Sequence, residues 1–217
     1  MKKTPLISLL RILAGCCLCH GVAASAADVS AIIKDAEGKP VNDAVVLAFP
    51  AKGGATAAKA GSETMDQVDK EFVPRVMAIR VGTSVRFPNK DNTRHQVYSF
   101  SAAKKFELPL YAGKPAAPVV FDKPGVVTLG CNIHDCMLGY IYVADTPYFG
   151  KTDAEGKTRI GDLPPGDYTL KVWHPRMIDT EESTARRVST AAAKEAAWTL
   201  KLKPEFRIRR APGAGNY

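Results

Sequence analysis

Downstream of residue 27 this chain has no long apolar run, almost no helical periodicity and little of the chemistry that enzymes share. No segment there is apolar for long enough to cross a bilayer as a helix, which argues against a stable membrane span. No basic run is interleaved with aromatic residues, which argues against nucleic acid as a partner. There is no nucleotide-binding motif, no catalytic triad and no substrate-pocket signature, so the chain reads as a non-enzyme and no catalytic residue is assigned. Histidine is scarce as well, with four in 217 residues. What is present is ordinary for a folded protein, with 46% apolar and 24% charged residues. The length suffices for one large or two small domains with real cores.

Residues 1–27 read as a leader. Lys2, Lys3 and Arg11 make a basic start, an apolar run from Ile12 to Ala24 is broken only by His20, and Ala24-Ser25-Ala26-Ala27 offers small residues for cleavage. This is the layout of a secretory signal peptide cut near Ala26 or Ala27, and it implies a periplasmic protein. Leu13-Ala14-Gly15-Cys16 also has the form of a lipobox, which would leave a lipid on Cys16, although Arg11 shortens the apolar stretch in front of it. The leader carries three of the 30 basic residues and none of the 22 acidic ones, so its loss lowers the formal charge from +8 to +5. It also carries three of the five cysteines, which leaves Cys131 and Cys136. A moderately basic surface serves solubility and can steer an acidic redox partner.

Alternation and turn signals dominate the rest, and the fold class is all-β. Val29 to Pro50 reads as strand, turn and strand around Asp35-Ala36-Glu37-Gly38. Residues 51–62 (AKGGATAAKAGS) are small and low in complexity, as a loop or linker is. Strands are predicted near Val76–Val81, Ser84–Pro88, His95–Phe100, Val119–Phe121, Val126–Leu129 and Gly139–Val143, separated by Gly, Asn, Asp and Pro breaks. From Tyr148 a further block carries turns at Asp153-Ala154-Glu155-Gly156 and Leu163-Pro164-Pro165-Gly166-Asp167. The strand after them sets Tyr168, Leu170 and Val172 on one face. Helix propensity suggests a short helix over Ala191–Ala197, and Trp198–Leu202 alternates as a strand. Residues 205–217 are basic, rich in Gly and Pro, and read as a tail.

The first and last blocks share a pattern, Asp35-x-x-Gly38-x-Pro40-Val41 early and Asp153-x-x-Gly156 with Leu163-Pro164-Pro165-Gly166-x-Tyr168 late. It resembles the carboxypeptidase regulatory-like fold, a small transthyretin-like β-sandwich. The resemblance implies that residues 28–59 and 146–204 make one split sandwich and that residues 60–145 are a separate domain set between its parts. A plain tandem of two β modules is the alternative.

The chemistry is concentrated in Gly130-Cys131-Asn132-Ile133-His134-Asp135-Cys136-Met137-Leu138-Gly139, a short connector between two apolar strands. A thiol, an imidazole and a thioether fall within seven residues of it. Soft sulfur donors with imidazole suit copper, and two His, one Cys and a distant Met make the blue-copper electron-transfer arrangement. The connector supplies Cys131, His134 and Met137. The second imidazole has to come from His95 or His174, and His95 begins a strand that can pack beside the connector. His174, in Trp173-His174-Pro175-Arg176, reads as a polar residue at a strand end, with a ligand or partner contact as the sharper alternative.

Cys131-x-x-His134-x-x-Met137 is the spacing of the amicyanin branch of the cupredoxins, and the upstream Asn89-x-Asp91-x-x-x-His95, Phe72-x-Pro74 and Val85-x-Phe87 are similar to that family too. The whole chain also resembles secreted bacterial proteins labelled as methylamine-utilisation proteins. These resemblances imply a cupredoxin Greek-key sandwich over residues 60–145, holding one copper ion, with His95, Cys131 and His134 as equatorial ligands and Met137 as the axial one. They also imply a redox protein partner, a dehydrogenase or a cytochrome. Ile133 and Leu138 are then expected to shield the metal, and His134 to be the exit for electrons. Two departures stand out. The family carries Asn directly after the first His, where its side chain ties the ligand connector, and this chain has Gln96. Cys136 is an additional thiol with no counterpart in an amicyanin-type connector.

Other readings of the same residues stay open. Cys131 and Cys136 are close enough to form a disulfide, which would remove the thiolate. Cys131, Cys136, His95 and His134 form a plausible zinc donor set. The copper ligands also suit a carrier or storage protein that does not cycle, and the flanking blocks alone suit a metal-free interaction protein. The sequence leaves the oligomeric state open.

Overall fold

A computed structural model describes residues 26–53, 61–115, 117–192 and 195–205. The expected leader up to residue 25, with its Cys16 lipobox, lies outside the described residues. So do residues 54–60 of the expected linker and the tail from residue 206.

The described residues are almost all strand, turn and bend, with one short 3₁₀ turn at Glu182–Thr184. The chain is an all-β protein. Strands from its two ends pair with each other. Ala27–Asp35 lies between Lys157–Leu163, antiparallel to it, and Glu195–Leu200, parallel to it. A second sheet runs in the order Tyr148–Lys151, Val45–Pro50, Asp167–Trp173, Arg186–Ser189. Between these sheets lies a buried cluster that includes Val29, Ile33, Val46, Leu170, Val172 and Trp198. The two Asp-x-x-Gly turns are built alike. Asp35 Oδ1 accepts the N–H groups of Glu37 and Lys39, and Asp153 Oδ1 those of Glu155 and Lys157. Gly38 (φ 78°) and Gly156 (φ 71°) close them in the left-handed region.

The strands between Ser62 and Ala144 pair among themselves. Gly139–Ala144 is antiparallel to Gly125–Leu129 and parallel to Val76–Arg80. Thr83–Arg86 is flanked by Ser62–Thr64 and Val119–Phe121. His95–Ser101 and Lys104–Tyr111 form a hairpin. Met65, Phe72, Phe87, Phe121, Leu129 and Ile141 are fully buried among them.

A third cluster joins the two groups of strands, with Val45 and Leu47 packed against Val76, Tyr142 and Ala144, and Trp173 beside Tyr140 and Tyr142. This explains two sequence patterns. Val45–Ala48 is buried on both faces, so it reads as an unbroken apolar run rather than an alternation. In Gly139–Ala144 the even positions face Trp173 while Ile141 and Val143 face the inner cluster, so both faces are apolar.

Two expectations change. Glu195–Ala197, expected within a short helix, belongs to a strand pairing with Ser30–Ile32. Alanine favours a helix, but a free edge beside Ala27–Asp35 offers six residues of ladder, and tertiary pairing outweighs propensity. Lys104–Tyr111 is a strand that the pattern did not signal. Its register slips between His95/Tyr111 and Val97/Leu108, which places the extra residue at Pro109-Leu110, where a proline need not donate to the ladder.

Candidate metal centre

Residues 130–138 connect Gly125–Leu129 to Gly139–Ala144 and reverse the chain by successive tight turns. His134 N–H donates to Cys131 O at 3.4 Å, Met137 N–H to His134 O at 2.9 Å, and Leu138 N–H to Cys136 O at 3.1 Å. The connector is fastened at its start. Gly130 and Tyr98 exchange both backbone hydrogen bonds, at 3.0 and 3.1 Å, which sets Cys131 beside the strand that begins at His95. A Cβ on Gly130 would lie 2.8 Å from Cζ and Oη of Tyr98, so any larger residue there would have to displace the Tyr98 ring.

Three of the four expected ligands converge. Cys131 Sγ lies 3.9 Å from His95 Nδ1 and 3.8 Å from His134 Nδ1. The three donor atoms all lie within 4.8 Å of one another, so one ion can sit among them. The imidazole rings are 4.9 Å apart edge to face. His95 is fully buried, Cys131 is 3% exposed and His134 is half-buried. Met137 is buried in the same cluster as Cys131.

The other candidates separate from this group. Cys131 and Cys136 are both free thiols, and Cys136 is exposed and outside the converging set. His174 follows the strand Asp167–Trp173, is 7% exposed and accepts the Arg176 N–H on Nδ1. Burial, reinforced by Arg176, pushes its imidazole down to about 4. Ile133 and Leu138, expected to shield the metal, are 47% and 44% exposed. Within the connector Cys131 and Met137 are buried and His134 is half-buried, while Asn132, Ile133, Asp135, Cys136 and Leu138 face solvent.

Gln96, which stands where an Asn tie was expected, donates to Glu107 Oε1 at 2.5 Å across the hairpin. A tie from another residue holds His95. Its Nε2 meets Asp91 Oδ2 at 2.7 Å. Asp91 is held in turn by the N–H groups of Asp69 at 2.7 Å and Lys70 at 2.8 Å. Burial pushes the Asp91 carboxyl up, but the Lys70 N–H, the His95 ring and the Asp69 N–H outweigh it and hold the group below its usual range. Asn89 shapes the same turn, accepting the Asp91 N–H at 2.9 Å and donating to Thr93 O and Tyr111 O. The sequence spacing Asn89-x-Asp91-x-x-x-His95 contained this arrangement, but the role of Asp91 was not legible without the fold.

A thiol with two imidazoles is a soft, mixed donor set that fits copper, and zinc less selectively. Metal binding requires the thiol to lose its proton and the imidazoles to be neutral. With one carboxylate-anchored ring already beside the sulfur, little rearrangement is needed.

No family model and no curated protein sequence matches the chain. Among solved structures, it is similar to a copper-containing nitrite reductase from Thermus scotoductus, at 30% identity over 44% of this chain and 25% of that one, with a TM-score of 0.37. The chain thus spans about a quarter of that protein. It is also similar to a purple cupredoxin from Nitrosopumilus maritimus, at 22% identity over 38% of this chain and 99% of the other, TM-score 0.34. For a reduced amicyanin the values are 19% identity, 45% of this chain, 99% of the other and a TM-score of 0.35.

Proposed function

We propose that this is an exported periplasmic protein whose residues 60–145 form a cupredoxin domain that binds one copper ion and passes single electrons between redox partners. The observation that carries this reading is the convergence of His95 Nδ1, Cys131 Sγ and His134 Nδ1 within 4.8 Å of one another. Copper would be held by these three atoms with Met137 as a fourth donor, and the ion would supply a one-electron couple. The chain's own residues supply rigidity. His95 is fully buried and anchored, Cys131 sits at the foot of a bridged strand, and the connector is closed by its own backbone hydrogen bonds. A site fixed before metal arrives changes little between oxidation states, which favours electron transfer. His134, the least buried of the three, is the proposed exit for electrons.

No open coordination position is needed for this function, and Met137, buried in the same cluster as Cys131, fits a carrier of electrons rather than an enzyme. The partner is proposed to be a redox protein, a dehydrogenase or a cytochrome, meeting the exposed Ile133 and Leu138 of the connector. Residues 28–59 and 146–204 are proposed to be the split regulatory-like sandwich, serving as a packing or docking partner for the copper domain.

The test is spectroscopic. The mature chain from residue 28, given one equivalent of Cu(II), should develop an intense visible charge-transfer band and an electron paramagnetic resonance signal of a thiolate-bound ion. Cys131→Ser should abolish both. A wild-type protein without the band, or one that binds zinc in preference and stoichiometrically, would refute the reading. Reversible voltammetry separates a shuttle from a storage protein with the same ligands.

A further inference from the structure

The tie on His95 is more elaborate than a packing contact requires. Its acceptor is a carboxylate rather than a backbone carbonyl, at 2.7 Å from Nε2 and largely shielded from water. That carboxylate is itself aimed by a hairpin turn on another strand pair. Asp69 (φ 53°) and Lys70 (φ 60°) both lie in the left-handed region, as the two central residues of a tight hairpin do. This conformation points both of their N–H groups at Asp91, one to each oxygen.

We propose that Asp91 is a positioning residue of the copper site, orienting His95 through Nε2 and tuning the reduction potential through its negative charge. The inference rests on the copper reading above. An ionised carboxylate accepts only, so Nε2 carries the ring proton and the Nδ1 lone pair is left facing Cys131 Sγ. A ligating imidazole that donates its other N–H to a carboxylate becomes a stronger donor and is held in one orientation. The negative charge behind the ring favours Cu(II) over Cu(I), so it lowers the potential. Gln96, turned away toward Glu107, leaves this task to Asp91.

Two variants divide the effects. Asp91→Asn keeps an acceptor oxygen and removes the charge. Asp91→Ala removes both. In Asp91→Asn the ratio of Cu(II) to Cu(I) affinity should fall at least tenfold, a rise of about 59 mV for a one-electron couple, with the visible band retained. In Asp91→Ala copper affinity should fall about ten- to a hundredfold. Nitrogen NMR of the metal-free wild type should find the His95 ring proton on Nε2 alone, and of Asp91→Ala a mixture of tautomers. An unmoved potential in Asp91→Asn beside a normal wild-type band overturns this inference and leaves the copper reading standing. A wild type without the band overturns both. Should the variants fail to fold, the wild-type spectrum still decides, since a proton found on Nδ1 excludes the proposed arrangement.

Discussion

At the scale of single residues the three converging donors are not equivalent, because they differ in access to water. His95 has no exposed surface, whereas His134 on the connector is half-buried. Truncating His134 to glycine should therefore open a channel from solvent to the ion, and truncating His95 should leave a closed void. We expect free imidazole added to copper-loaded His134→Gly to restore the visible band, and the same addition to His95→Gly to restore little of it, as read by titration. Equal rescue of the two would contradict the assigned geometry. The residue scale is also where the sequence was most and least legible. Cys131, His134 and Met137 lie in one connector, so their spacing is visible directly. His95 is 36 positions from Cys131, and the Tyr98–Gly130 bridge and the Thr128 N–H bond to Ser101 Oγ hold their strands together. Asp91 was visible as a motif position, but its partner on the ring and the Asp69-Lys70 turn that aims it belong to a different strand pair.

At the scale of elements the copper connector depends on how its second strand is seated. Gly139 opens that strand, and a Cβ there would fall 2.8 Å from Phe72 Cβ and 2.9 Å from Phe72 Cδ2. Phe72 is 1% exposed and has nowhere to move. Gly139→Ala should cost about 1–3 kcal/mol of stability, measured by urea unfolding, with weakened copper binding because the connector's end is displaced. Gly38 is a contrast, since a Cβ there meets nothing within 4 Å and only its positive φ would be strained. Gly38→Ala should leave the metal site untouched. The strands that could be read from sequence were those with β-branched or aromatic runs, such as Val119–Phe121, whose bounds match the expectation. Lys104–Tyr111 was missed because its ladder carries two lysines and a proline, and its outward face is exposed. Glu195–Ala197 misled for the opposite reason, since its alanines favour helix while its pairing is decided by a strand at the other end of the chain.

At the scale of the whole molecule the pairing of strands from the two chain ends could be suspected only from the repeated Asp-x-x-Gly turns. The contact between Trp173 and Tyr142 joins residues that no local pattern links. His174, next to that contact, makes the stability pH-dependent. Its imidazole is lowered to about 4 when folded, against 6.5 for the free side chain, so the unfolded chain binds a proton between those values and the folded chain does not. Stability from this group is complete above pH 6.5 and is lost as pH falls toward 4. Urea midpoints should therefore drop over that range, and the drop should be shallower in His174→Asn. A variant with the same slope as the wild type would rule out His174 as the cause.

The claim on which the functional account depends is that one copper ion is bound by one sulfur and two imidazoles. X-ray absorption at the copper edge of the singly loaded mature chain tests it most directly. The account requires one short copper–sulfur shell together with two imidazole nitrogens, and loss of the sulfur shell in Cys131→Ser. A first shell of nitrogen and oxygen alone in the wild type would contradict it.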